Sequence, residues 1–150
     1  ICGLLGGEVD DENCSLEVSI DGALDLTADR EKLRRVVINL VRNSYQACDD
    51  GCTIEIAVSA PGGATRRLEV IDDGPGIPEE KLEEILTPFF TTKEKGSGLG
   101  LALARQIIEQ HGGQLGIDSV VGDGTTVVIE LPFDEDIEAP EQDIPEGWLG

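Results

Sequence analysis

The stretch GSGLGL at residues 96–101 combines three glycines with the start of an apolar helical repeat that continues to about His111. Unpaired N–H groups and the dipole of a helix N-terminus attract phosphate oxygens, and glycines let a ligand approach the backbone closely. Two further strings precede this stretch, NLVRN at 39–43 and DDGPG at 72–76. A lone glycine pattern is weak evidence, but the ordered set of three strings predicts a nucleotide pocket.

Two common phosphate-binding loops do not match the stretch. A Walker loop needs a Lys followed by Ser or Thr directly after its last glycine, and a Rossmann unit needs a strand directly before its loop. Neither requirement is met, and Phe90, Thr91, Thr92 and Lys93 come shortly before the glycines. The sequence therefore disfavours both alternatives.

Asn39 and Asn43 lie one turn apart in a predicted helix. With Leu40 in the middle of the apolar stripe, a step of about 100° per residue places both carboxamides on one shoulder of that stripe. A carboxamide oxygen is a hard, neutral ligand suited to Mg²⁺, which often bridges a protein to nucleotide phosphates. For an isolated pair, two solvated surface residues would be the better interpretation, and only the other two strings favour a metal site.

Asp72 ends an apolar strand and shares its side-chain parity with Leu68 and Val70, so its carboxylate is expected on the buried face. A buried acid needs a partner, and the exocyclic amine of adenine is a suitable donor. Gly74 and Gly76 carry no Cβ atoms that would keep the backbone away from the ring. The alternative is an ordinary surface turn, which the apolar strand leading into it disfavours.

The composition is that of a globular domain with a strongly acidic surface. The 150 residues carry 31 acids against 11 Lys and Arg, a formal charge of −20, with 39% hydrophobic residues. This charge repels nucleic acid and anionic membranes over about 8 Å at physiological salt, so neither is an expected partner. No apolar run approaches the roughly 18 residues of a membrane span. A chain that begins at Ile1 and lacks Met is expected to be a piece of a longer protein.

The four cysteines, Cys2, Cys14, Cys48 and Cys52, have no CxxC spacing, and His111 is the only histidine, so a zinc centre is not expected. We expect reduced thiols in a cytoplasmic protein, because disulfides rarely persist there. Cys48 and Cys52 are predicted neighbours across a helix end, with a disulfide between them as a lesser alternative. Whether the parent protein is anchored in a membrane stays open.

Hydrophobic periodicity predicts both strands and helices along the chain. The first part predicts strands around 16–20 and 23–26, a helix capped by Asp29 and ended by Gly51, and a hairpin of 53–60 with 66–71. The second part predicts a long connection at 74–98 with a short helix near 79–86, a helix from about 99 to 111, and strands at 115–119 and 125–131. His111 is expected as a cation that suits the helix dipole.

Four strings together resemble one known family. NLVRNSYQA, DDGPGI, TPFFTTK and GSGLGLALARQIIEQHGG are similar to the N box, first glycine box, F box and second glycine box of the catalytic ATP-binding domain of sensor histidine kinases. The resemblance spans residues 28–132, and the PFFTTK form is similar to kinases of the nitrogen-regulation type. It implies the Bergerat fold shared with gyrase, Hsp90 and MutL. This is an α/β (α+β) two-layer sandwich, with a mixed, mostly antiparallel sheet covered on one face by about three helices.

The resemblance also implies roles for individual residues. Asn43 would be the main Mg²⁺ ligand, and Asn39 would assist where hydrolysing relatives keep a glutamate base. Asp72 would recognise adenine beside Gly74, Gly76 and Ile77. A mobile lid would include Phe89, Phe90 and Lys93, and the phosphates would be wrapped by Gly96, Gly98 and Gly100. The implied ATP-binding set also includes Thr91, Thr92, Ser97, Leu99 and Leu101, and Lys93 would be catalytic together with the two asparagines. Many family members have a Lys three residues after the metal-binding Asn, where this chain has Gln46, so Lys93 or Lys95 would have to compensate.

The resemblance further implies a division into a leading segment (1–13), the catalytic domain (14–133) and an acidic tail (134–150). The domain would bind Mg-ATP and donate the γ-phosphate to a histidine on a separate dimerisation domain, for relay to a response regulator. His111 is not the expected acceptor, so the chain alone should not label itself. The alternatives are an ATP-hydrolysing clamp of the same superfamily and a non-catalytic, nucleotide-dependent interaction module.

Overall fold

The computed structural model describes residues 14–21, 28–48, 51–62, 65–87 and 100–132. Within these ranges the chain forms five strands, β1 (Cys14–Ile20), β2 (Cys52–Gly62), β3 (Thr65–Asp72), β4 (Gln114–Val120) and β5 (Gly124–Pro132). It also forms three α-helices, α1 (Arg30–Ala47), α2 (Glu79–Leu82) and α3 (Gly100–Gln110), with a 3-10 turn at Glu84–Leu86. The predicted strand at 23–26, the lid at 88–99 and the acidic tail lie outside the described residues.

The five strands form one sheet in the order β1-β2-β3-β5-β4. β1 and β2 are parallel, and the other three pairs are antiparallel. The predicted hairpin is confirmed as β2 and β3. Its register shifts between Ser59 and Gly62, where Pro61 has no N–H to donate to the ladder. The expected mixed, mostly antiparallel sheet is therefore confirmed.

The core lies between one face of the sheet and helices α1 and α3. Apolar residues alternate with polar ones along β2, β3 and β5, and the apolar set points to the helices. The nine largest of the almost completely buried side chains lie there: Val36, Leu40, Val41, Ile54, Ile56, Val70, Ile107, Ile108 and Ile129. Burying a side chain of this size stabilises the fold by about 1.5–3 kcal/mol. The arrangement is the predicted two-layer α/β sandwich.

Helix α1 begins as expected, because the Asp29 side chain accepts hydrogen bonds from the N–H groups of Glu31 and Lys32 at 3.0 and 3.1 Å. Its predicted end at Gly51 is wrong. The helix stops at Ala47, and Cys48 is already extended, with φ −97° and ψ 109°. This early end places the Cys48 thiol against Cys52, to which it is hydrogen-bonded.

His111 follows the end of α3, as expected, but the structure does not use it as a cation. Its Nε2 accepts a hydrogen bond from the Asp29 N–H at 3.2 Å, and its Nδ1 lies 2.7 Å from the Ile107 carbonyl oxygen. This pair of bonds requires a neutral ring with its proton on Nδ1, because a doubly protonated ring has no acceptor. His111 therefore ties the end of α3 to the N-cap of α1.

The three cysteines in the described residues, Cys14, Cys48 and Cys52, are free thiols. Cys48 and Cys52 are neighbours, as predicted, but no disulfide joins them. None of the helices in the described ranges has the length and apolar character that crossing a membrane demands.

Candidate nucleotide-binding site

A pocket with a cavity volume of about 70 Å³ lies between the sheet and the helices α1 and α3. Its wall contains five of the predicted site residues: Asn43, Asp72, Gly76, Ile77 and Leu101. The sequence did not single out the other lining residues, which are Leu40, Ser44, Ala47, Pro75, Ile117, Thr125 and Val127.

Asp72 is the last residue of β3 and, at 7% exposure, the one buried acid among the described residues. Its Oδ1 accepts a hydrogen bond from the Gly74 N–H at 3.0 Å. No ion pair within the described part of the chain involves this carboxylate. A buried charge is costly unless it has a partner. A ligand in the pocket that donates a hydrogen bond to the second oxygen of the Asp72 carboxylate would lower this cost.

Gly74 packs tightly beside this acid. A Cβ atom at this position would lie 2.9 Å from Oδ1 of Asp72 and 3.1 Å from Sγ of Cys48. A larger residue would therefore displace the carboxylate or the thiol. Gly74 therefore keeps the Asp72 carboxylate in place. The sequence predicted only that this glycine leaves room for the adenine ring.

Gly76 is also restricted by a contact that the sequence did not predict. Its φ is +76°, and a Cβ atom would clash with the Val120 carbonyl oxygen at the end of β4. The turn between β4 and β5 donates the Gly122 N–H to the Pro75 carbonyl oxygen at 2.8 Å. The loop after β3 is thus pressed against a turn that is distant in sequence, and the restriction at Gly76 comes from that turn.

Ser119 anchors the other end of this loop, and the sequence did not predict its role. The Ile77 N–H donates to the Ser119 Oγ at 2.8 Å, and that hydroxyl donates to the Gly124 carbonyl oxygen at 2.9 Å. The Thr125 hydroxyl lies 2.7 Å from the same Oγ, so it is the donor of that pair. Thr125 is also the strand partner of Asp72, and its remaining lone pairs lie at the pocket wall.

Asn43 brings the first and third sequence strings together. It lines the pocket from α1, and a Cβ atom at Gly100 would lie 3.4 Å from its Nδ2 and 3.8 Å from its Oδ1. Gly100 begins α3, an 11-residue helix with no acid in its first turn. The predicted partner Asn39 is half-buried one turn earlier and does not line the pocket.

The described wall of the pocket contains no Lys or Arg. Among the described residues, no cluster of three or more His, Cys, Asp or Glu side chains is arranged to hold a metal ion. Among the described residues, the N-terminus of α3 is therefore the feature of this wall that favours negative charge on a ligand. The predicted site residues Phe90, Thr91, Thr92, Lys93, Gly96, Ser97, Gly98 and Leu99 lie outside the described residues.

Comparison with known proteins agrees with this geometry. The family described as "Histidine kinase-, DNA gyrase B-, and HSP90-like ATPase" matches residues 28–135. Sensor histidine kinase ZraS of Escherichia coli (strain K12) is 40% identical over 108 residues, which are 72% of this chain and 23% of ZraS. Sporulation kinase C of Bacillus subtilis (strain 168) is 37% identical over 116 residues, 77% of this chain and 27% of that kinase. The chain thus spans about a quarter of the length of these relatives.

A solved structure covers the fold more completely. The nucleotide-free catalytic domain of the histidine kinase ThkA is 34% identical, with a TM-score of 0.77 over 87% of this chain and 86% of that one. ThkA was also solved with the response regulator TrrA, where the TM-score is 0.74 at 31% identity, over 89% of this chain and 38% of that one. The chain therefore belongs to the family of histidine kinase-, DNA gyrase B- and HSP90-like ATPases, and it is homologous to the catalytic domains of sensor histidine kinases.

Proposed function

We propose that residues 14–133 are the Mg-ATP-binding catalytic domain of a two-component sensor histidine kinase. The domain donates the ATP γ-phosphate to a histidine on a separate dimerisation domain of the parent protein, and a response regulator then receives it. The complex of ThkA with TrrA supports this kind of partner. The adjoining segments, 1–13 and 134–150, lie outside the catalytic unit.

One observation carries the proposal: the Asp72 carboxylate is buried at the pocket wall with Gly74 as its one hydrogen-bond donor among the described residues. The exocyclic amine of adenine supplies the missing donor. Thr125, the strand partner of Asp72, lines the same pocket and adds a hydroxyl oxygen as a second acceptor. Leu40, Ile117 and Val127 supply the apolar walls that a purine ring needs.

The donor set also fits a magnesium ion. The Asn43 carboxamide lies at the pocket wall beside the N-terminus of α3, and a neutral amide oxygen is a ligand that Mg²⁺ accepts alongside phosphate oxygens. Asn43 would hold the ion, whereas Asn39, one turn earlier and outside the pocket wall, has an assisting role only by resemblance. The ion would supply charge neutralisation for the phosphates, which the described wall lacks.

Phosphoryl transfer asks little covalent chemistry of the protein, since positioning and charge neutralisation account for most of the catalysis. The N-terminus of α3 at Gly100 orients N–H groups toward the phosphates. By resemblance, Gly96 and Gly98 extend this cradle, and Lys93 contributes a cation from the lid.

Two features support phosphotransfer over hydrolysis by a clamp-type ATPase. Asp72 is the only carboxylate in the described pocket wall, and the proposal assigns it to the base. Asn39 occupies the place where hydrolysing relatives keep a glutamate, so activation of water at the γ-phosphate should be poor. No observation favours a non-catalytic interaction module.

Two finer assignments belong to the proposal. The PFFTTK string supports the nitrogen-regulation type of kinase. A domain that consumes ATP belongs in the cytoplasm, whatever anchors the rest of the parent protein.

The test uses γ-labelled ATP with the 150-residue chain, alone and together with the phosphoacceptor domain of the parent protein. We expect the label on the acceptor histidine only when both parts are present, and its loss in Asn43→Ala. Rapid release of inorganic phosphate by the chain alone would instead support the clamp ATPase. Acid-labile label on His111 would contradict transfer to a separate domain.

A further inference from the structure

We propose that Cys14 and Cys52 are a disulfide-forming pair, and that their oxidation covalently ties the edge strand β1 to β2. The proposal is independent of the kinase function. It concerns the sulfur cluster, by which we mean Cys14, Cys48 and Cys52, at the end of the sheet next to the pocket.

The geometry of the pair is already close to that of a crosslink. Cys14 and Cys52 are direct partners in the parallel register of β1 and β2, and their sulfur atoms lie 3.2 Å apart. Neighbouring strands run about 4.7–4.9 Å apart, within the Cα separation of about 4.4–6.8 Å that disulfides span. A small side-chain rotation would therefore bring the sulfurs to bonding distance without moving either strand.

The two thiols differ in accessibility, which sets the order of reaction. Cys14 is half-buried at the start of an edge strand, whereas Cys52 is buried. Burial, together with the hydrogen bonds from Cys52 to Cys48 and Cys14, raises the pKa of the Cys52 thiol. Since the thiolate is the nucleophile, Cys14 reacts first with an external oxidant and Cys52 completes the bond.

The oxidant we consider is a small-molecule disulfide such as oxidised glutathione. The Cys14 thiolate attacks one of its sulfurs, forming a mixed disulfide and releasing one thiolate. Cys52 gives up its proton to that thiolate and attacks the Cys14 sulfur, which releases the second small thiolate. Two electrons pass from the protein to the small disulfide, which leaves as two thiols.

Cys48 is the competing partner, and its surroundings disfavour it. Its sulfur packs beside Gly74, in the loop next to the buried acid. Burial, with a smaller contribution from the negative charge of Asp72, raises the pKa of its thiol. The Cys14 bond leaves that loop in place, because β1 and β2 are already in register.

Oxidation should stabilise β1 locally. Among the described strands, β1 lies at the edge of the sheet and pairs with β2 alone. Its amides therefore exchange through local opening, which a covalent tie at its first residue restricts. The expected change is slower hydrogen exchange in β1 after oxidation, with reversal by dithiothreitol.

The test treats the full chain with oxidised glutathione, counts remaining thiols, and maps crosslinked peptides under non-reducing conditions. We expect two thiols to be lost and a linked peptide pair containing Cys14 and Cys52, with exchange slowed in β1. Cys2→Ser should oxidise at the wild-type rate, Cys48→Ser should still form the bond between Cys14 and Cys52, and Cys14→Ser should form no intramolecular bond.

Several results would overturn the proposal. A dominant bond between Cys48 and Cys52 would assign the wrong pair. A persistent glutathione adduct on Cys14 would show that Cys52 cannot complete the reaction, and retention of all thiols would show that Cys14 does not react. Because the wild-type map decides the pairing, the test does not depend on any variant folding.

Discussion

Replacing Asp72 by Asn probes the adenine contact with little change to the fold. The Asn side chain keeps an oxygen that can accept the Gly74 N–H, which now lies 3.0 Å from Oδ1. The second oxygen becomes an NH₂ group, which presents donors to the donor amine of the base. A hydrogen bond to a charged group contributes about 1.5–3 kcal/mol, so the affinity for Mg-ATP should fall roughly 10- to 150-fold.

Thermal unfolding with and without Mg-ATP measures this loss. A ligand at about 100 times its dissociation constant stabilises the folded chain by about 2.7 kcal/mol. If the dissociation constant rises about 100-fold, the same ligand concentration should give only about 0.4 kcal/mol. The ligand-free melting temperature should change little, because the variant keeps the packing around residue 72.

The neighbouring acid supplies a matched control. Asp73 is exposed, and its Oδ1 accepts the Thr53 N–H at 2.8 Å, away from the pocket wall. Asp73→Asn makes the same chemical change one residue later and should keep the full ATP-induced stabilisation. Equal losses in both variants, or a full ATP response in Asp72→Asn, would refute the reasoning.

Three further predictions concern the metal, the loop and its anchor. Asn43→Ala should abolish the Mg²⁺-dependent part of ATP binding in calorimetry, with a smaller effect for Asn39→Ala, and an unchanged metal response would reassign the ligand. Gly76→Ala should lower the free energy of unfolding by about 1–2 kcal/mol for its positive φ and by about 1–3 kcal/mol more for the contact with the turn. Gly122 is the control, because its φ is +88° but the space around it is open. Equal losses for Gly76→Ala and Gly122→Ala in urea unfolding would contradict this account. Ser119→Ala removes the acceptor of the Ile77 N–H, so it should lower the free energy of unfolding by about 1–3 kcal/mol and weaken ATP binding. A variant with wild-type stability and wild-type ATP affinity would disprove this role.

Features that depend on local periodicity could be predicted from the sequence. The parity of β3 placed Asp72 on the buried face because side chains alternate strictly along a strand, and the structure confirms that placement. The N-cap at Asp29 followed from the same kind of local chemistry. Asn43 could be assigned to the pocket only in combination with the two glycine strings, since an isolated carboxamide on a helix has no distinctive pattern.

Features that depend on long-range contacts could not be predicted in this way. Cys14 and Cys52 are 38 residues apart, and nothing in their local sequence indicates that β1 and β2 pair in parallel. Ser119 is equally inconspicuous, although it holds Ile77 across 42 positions. His111 was predicted as a helix-end cation from the dipole alone, whereas the structure uses its ring as an acceptor for Asp29. Each of these roles is set by the tertiary fold.

Calorimetric titration of Mg-ATP into the 150-residue chain tests the central claim most directly, with Mg-GTP as the matched nucleotide. Guanine carries a carbonyl where adenine has its amine, so it offers Asp72 no donor at that position. We predict one ATP site per chain, with binding that weakens when Mg²⁺ is removed, and much weaker binding of GTP. A folded chain that releases no heat with Mg-ATP, or that binds both nucleotides equally, would contradict the account.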